Sequence, residues 1–216
     1  MPPRSYTSDL RAEQAARTRD RVVRAAAHEL ATHGYDRTTL ARVAERAGVS
    51  VETVKAHGPK RALLLAAFEV TFAGSEGRGS LVERPEGKAV ADAADPDAFL
   101  DGMLDLVAAA NARVAPLWAA FTAAAQGDEA VAAELDALLD RRRTDLRASV
   151  DLLAAHGFTV HGPREHAAEA LSYLLTPEGH THFVAGAGWS DATYRAWLRD
   201  AVLRLVAAPP GVGPVT

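Results

Sequence analysis

Apolar residues first recur at helical spacing from Thr18 onward, where Val22, Val23, Ala25, Ala26 and Leu30 fall near a 3.6-residue period and Gly34 ends the run. A short second helix follows with Leu40, Val43 and Ala44; Thr38 or Thr39 can cap it and Gly48 closes it. Ser50 caps a third helix reaching about Ala56, and Glu52 lies where the positive helix N-terminus favours an acid. Gly58-Pro59 ends that helix and starts a fourth, which carries Leu63, Leu64, Leu65, Ala67, Phe68 and Phe72. Periodicity is then lost among Gly74, Gly77, Gly79, Pro85, Gly87 and Pro96, which predicts a mobile connection with one short turn inside it.

Long Ala/Leu-rich helices resume over about 97–125, with a break expected near Pro116, and over about 128–156, ending at Gly157. Further helices are predicted over about 163–175, after Thr176-Pro177-Glu178, and over about 190–207. No segment alternates apolar and polar residues long enough to predict a strand. The pattern therefore predicts an all-α chain divided into a flexible arm (1–16), a small helical domain (17–72), the mobile connection (73–96), a larger helical domain (97–208) and a loose tail (209–216).

Composition changes this picture in two places. The chain has no Cys, which excludes disulfides, thiolate nucleophiles and Cys-based zinc sites. The absence of a signal-like apolar core and of any bilayer-length apolar run predicts a soluble, cytoplasmic protein without a membrane partner. The net charge of −4 is unevenly distributed: residues 1–70 hold 12 Lys/Arg against 8 Asp/Glu, and the remainder holds 12 against 20. A locally basic N-terminal part is what contact with phosphates requires, although the excess is small.

The three short helices ending at Gly34, Gly48 and Gly58 form the most specific local pattern. In Thr39-Leu40-Ala41-Arg42-Val43-Ala44-Glu45-Arg46-Ala47-Gly48-Val49-Ser50, Ala44 is small where two helices cross, Gly48 makes the turn and Val49 plugs the shared core. The second helix of such a pair can enter the DNA major groove by its N-terminal end. Together with Arg21-Val22-Val23-Arg24-Ala25-Ala26, Leu30-Ala31-Thr32-His33-Gly34-Tyr35 and Thr38-Thr39-Leu40, this segment resembles the DNA-binding domain of the tetracycline-repressor (TetR) family over roughly residues 17–70. A weaker resemblance to the C-terminal domain of many members runs through Leu81-Val82-Glu83-Arg84-Pro85, Thr176-Pro177-Glu178, Gly188-Trp189-Ser190, Tyr194, Trp197 and Leu198.

The resemblance implies a three-helix, helix-turn-helix DNA-binding domain followed by a helical bundle that regulates and dimerises. It implies that Val51–Ala56 is the recognition helix and that Ser50, Thr53 and Lys60 occupy phosphate-contact positions. Thr39, at the start of the second helix, can hold another phosphate. Val51 (thymine methyl), Glu52 (cytosine amino group) and Lys55 (guanine) are the base-edge candidates, and Arg42 can reach backbone or base. This chain departs from the family in having Lys55 where a Tyr is usual. The aromatic beside the turn is also missing, which leaves His57-Gly58-Pro59-Lys60 one residue short and places a polar His57 where a larger side chain often packs.

An acidic helical body behind such a reader implies a homodimer on a palindromic operator, released by a small-molecule effector of unknown identity. Leu171, Leu174, Trp197, Leu198, Val202 and Leu205 are the expected interface residues, although the same stripes could be core. Phe99, Met103, Leu106, Trp118, Phe121 and Tyr173 are the large side chains available for an effector pocket. His180-Thr181-His182 with His166 and Glu169 or Glu178 is a poor metal set, because residues i and i+2 do not share a helix face, so no metal or other cofactor is expected. No phosphate loop, nucleophile elbow or His-Glu-x-x-His motif is present, so an enzyme is not expected. The alternative is a helical ligand-binding dimer, or an enzyme on the same scaffold, that has lost DNA binding.

Overall fold

The computed structural model describes residues 5–77 and 81–211. Its elements are α1 (Ser5–Arg37), α2 (Leu40–Ala47), α3 (Val51–Ala56), α4 (Lys60–Ala73), α5 (Pro85–Ala91), α6 (Pro96–Ala125), α7 (Glu129–Ala155), α8 (Arg164–Leu174), α9 (Pro177–His180) and α10 (Asp191–Leu205). Two two-residue strands, β1 (Thr159–Val160) and β2 (Ala207–Ala208), pair antiparallel, with Thr159 opposite Ala208 and Val160 opposite Ala207. Among the described residues the regular structure is all-α apart from this clip.

The chain forms two compact units. The first contains the described residues up to Gly77 together with Pro116–Ala133, and the second the described residues from Leu81 to Ala115 and from Glu134 onward, so α6 and α7 each contribute to both. In the first unit Val22, Val23, Ala26 and Leu30 on α1, Val43 on α2, Val54 on α3 and Leu63, Leu64 and Ala67 on α4 are buried. Phe68 packs there on Trp118 and Phe121, with ring centroids 5.7 and 6.2 Å apart. In the second unit Phe99, Leu100 and Leu104 pack with Leu153, Leu171, Tyr194, Leu198 and Val202.

Several expectations need correction. The helix of α1 begins at Ser5 rather than near Thr18, because Ala, Arg, Glu and Gln between 11 and 17 are strong helix formers, although every one of them is exposed; residues 1–4 of the expected arm lie outside the described residues. Within 73–96 the described residues include a 3-10 turn (Leu81–Glu83) and α5, with Pro85 at its first turn. Gly87 of α5 rests against the Leu81 carbonyl, where a Cβ would come within 2.0 Å of the oxygen. Pro116 does not break α6, whose buried Val114, Leu117 and Trp118 flank it and outweigh the roughly 3 kcal/mol that an internal proline costs. By length and composition α6 could cross a membrane, contrary to expectation. Its buried side chains nevertheless serve the two helical cores, and its exposed Asp97 and Asp101 pair with Arg199.

Candidate nucleic-acid interface

The α2–α3 pair is organised by local capping. Thr39 Oγ1 accepts from the Arg42 amide at 3.3 Å, and Ser50 Oγ accepts from the Thr53 amide at 3.1 Å. Between the helices Gly48 takes a left-handed conformation (φ 64°, ψ 42°), which lets its amide and that of Val49 return to the α2 carbonyls. Thr38, the other candidate cap, is instead buried, its hydroxyl donating to the carbonyls of Glu29 and Gly34.

On α3, Val54 is fully buried and anchors the helix. Ser50, Glu52 and Lys55 are exposed and Val51 and Thr53 half-buried, so one side of the helix presents hydroxyls, an acid, an ammonium and a methyl surface. Glu52 and Lys55 form an i, i+3 pair at 3.9 Å, loose enough to exchange for other partners. The half-buried His57 closes the helix, and its carbonyl accepts from Arg19 of α1.

Two further candidates are held by protein groups. Lys60 donates to the Tyr35 carbonyl at 2.8 Å and sits 4.0 Å from the Tyr35 ring centroid. Arg42 donates to Glu29 Oε2 at 3.0 Å and lies 2.6 Å from His33 Nε2. Arg46 donates to the other Glu29 oxygen at 2.6 Å. Glu29 is 97% buried in the chain, and hydrogen bonding from Arg46, joined by Arg42, holds its carboxyl below the ordinary range against the opposing effect of burial. Sequence reasoning missed Glu29, Arg46 and Arg19. The available signal was an acid on the Val22–Ala26–Leu30 stripe, since a buried carboxylate requires cationic partners.

The side chains named for an effector pocket are distributed over both units. Phe99 and Met103 belong to the second unit's core, Trp118 and Phe121 pack with Phe68 in the first, Leu106 is half-buried and Tyr173 is 83% exposed. The expected interface residues also divide. Leu171, Leu198 and Val202 are fully buried in their own chain and Leu174 nearly so, because each lies on the inward face of its helix. Of the six, Trp197 is half-buried and Leu205 is 62% exposed, so only these two offer surface to another molecule.

Residues 22–67 match the family model of bacterial regulatory proteins of the tetR family. No curated protein matches the chain. Among solved structures, a TetR transcription regulator from Haloarcula marismortui aligns at 19% identity over 88% of this chain and 99% of its own, with a TM-score of 0.65. A transcriptional regulator from Saccharomonospora viridis, solved in complex with choline, aligns at 17% identity over 90% and 100%, with a TM-score of 0.68. NalD of Pseudomonas aeruginosa, the secondary repressor of the MexAB-OprM multidrug efflux pump, aligns at 18% identity over 90% and 98%, with a TM-score of 0.62. At these identities the likeness carries the fold, and the family match is confined to residues 22–67. Residues 22–67 are thus similar to the tetR family of bacterial regulatory proteins, and the chain shares the fold of solved TetR transcription regulators.

Proposed function

We propose that the protein is a repressor that binds a palindromic double-stranded operator as a homodimer and leaves it when a small-molecule effector binds the second unit. The observation that carries this reading is the exposed, Ser50-capped N-terminal side of α3, which is anchored from beneath by Val54. Ser50 and Thr53 hydroxyls meet phosphates, and so does the N-terminus of α2 at Thr39. Lys60 exchanges the Tyr35 carbonyl for a phosphate, and Arg42 reaches the backbone from α2 with donors that Glu29 leaves free. Val51, Glu52 and Lys55 read base edges, and His57 sets where the helix ends.

A six-residue recognition helix covers only a few base pairs, and two copies at fixed separation supply the missing sequence length. The dimer forms through α8 and α10, where Tyr173, Leu205 and the half-buried Trp197 are the accessible apolar surfaces. Support for an effector comes from buried hydrogen-bonding capacity in the second unit. Among the described residues Asn111 Oδ1, Tyr194 Oη and His180 Nε2 are buried without a protein hydrogen-bond partner, His180 Nε2 lying 3.5 Å from Asp191. Buried polar atoms in folded proteins are normally hydrogen-bonded to protein or water, and a polar effector would meet the same need. Choline in the Saccharomonospora viridis structure supports a small molecule on this fold.

Selection of bound duplexes from a random library, followed by footprinting, tests the reading. The expected result is an inverted repeat whose half-sites lie about one helical turn, or a multiple of it, apart. Enrichment of no duplex, or of a single half-site by a monomer, overturns it.

A further inference from the structure

We infer that Arg19 is a positioning residue for operator recognition, acting through the His57 carbonyl and held in place by Glu76. The inference rests on the reading of α3 as the recognition helix. A helix of six residues is too short to hold its own direction, so its two ends must be fixed from outside. The Ser50 cap fixes the first end. At the other end the last carbonyls have no intrahelical partner, and His57 O is one of them.

Arg19 Nη1 donates to that carbonyl at 2.5 Å. The same guanidinium donates from Nε and Nη2 to the Glu76 carboxylate at 2.9 and 2.7 Å, beyond the end of α4. The backbone there is itself tied, because the Gly77 amide donates to Glu69 Oε2 at 2.9 Å. One planar fork therefore joins α1, the exit of α3 and the segment after α4, and a lysine ammonium could not serve both acceptors in that geometry. With the charge of Arg19 matched by Glu76, its contribution to DNA binding is placement of Glu52 and Lys55 rather than attraction of phosphate. Base-edge contacts demand placement to about half an ångström, so a loosened exit costs specific binding first.

The test compares the full-length wild type with Arg19→Lys, Glu76→Ala and the double variant. Each is titrated with the duplex that the wild type selects and with a random duplex of equal length, over a range of salt, after thermal unfolding shows which variants fold. Arg19→Lys is expected to weaken the selected duplex by about tenfold or more, the scale of one lost base contact, while random-duplex affinity changes by less than about twofold. The slope of log affinity against log salt stays the same, because no phosphate contact is removed. Glu76→Ala gives a smaller loss of the same kind, and the double variant is no worse than Arg19→Lys.

A folded Arg19→Lys with wild-type preference overturns the inference. Equal losses on both duplexes with a shallower salt slope also overturn it by making Arg19 a phosphate contact, and so do additive losses in the double variant. Should Arg19→Lys fail to fold, unchanged preference in folded Glu76→Ala overturns it. A wild type that selects no duplex removes the recognition reading and this inference together.

Discussion

Removing both arginines that hold Glu29 should destabilise the protein more than removing Glu29 itself. The carboxylate is 97% buried, whereas the Arg42 and Arg46 side chains are 49% and 43% exposed. In Glu29→Gln one charge-assisted hydrogen bond, worth roughly 1.5–3 kcal/mol, is lost and the other is weakened, because only the amide oxygen still accepts. The half-exposed guanidinium groups recover much of that from water, and the cost of burying the carboxylate disappears, leaving a net loss of about 1–3 kcal/mol. In Arg42→Ala/Arg46→Ala the carboxylate keeps its charge and loses both cations, which costs up to about 3–5 kcal/mol, less what water returns through the space that the two half-exposed side chains vacate. The triple variant, which adds Glu29→Gln to that pair, should recover part of the loss. Urea unfolding followed by circular dichroism measures all three at constant slope. A double-arginine variant no less stable than Glu29→Gln would refute the argument, because the carboxylate would then not depend on its cations.

Three more outcomes are expected. Because the folded Glu29 carboxyl titrates below its ordinary value, the stability it contributes is complete above the ordinary glutamate range and is lost as pH falls through the lower folded value; Glu29→Gln should flatten that acid limb, as read from melting temperature against pH. Alanine at Glu52 or Lys55 should relax preference at one or two base positions, by about 1–3 kcal/mol for a good contact, and equal losses on selected and random duplexes would show that these residues only position the backbone. Leu205→Glu, at an exposed position of α10, should give a folded monomer by light scattering, whereas Leu198→Glu buries a charge in the chain's own core and should unfold it; a Leu205→Glu variant that stays dimeric would move the interface elsewhere.

The features legible in the chain were those written over three or four residues. The Thr39 and Ser50 caps, the left-handed Gly48 and the stripe through Val22, Ala26 and Leu30 each depend on neighbours within about one or two helical turns, so spacing reveals them. Periodicity also found the long helices, but it could not say what an apolar stripe faces. Leu171, Leu198 and Val202 carry the same signal whether they meet this chain or a second copy, and folding assigned them to this chain's core. Aromatics behave alike: Trp118 and Phe121 pack on Phe68, about fifty residues away in sequence, and Phe99 stacks on His156. The polar framework was hidden for the same reason. Arg19 meets a carbonyl 38 residues on and a carboxylate 57 residues on, and Glu29 meets cations 13 and 17 residues on. Local backbone hydrogen bonding determines the caps and turns within one element, whereas the partner of a buried face or charge is chosen only when distant elements exclude water together.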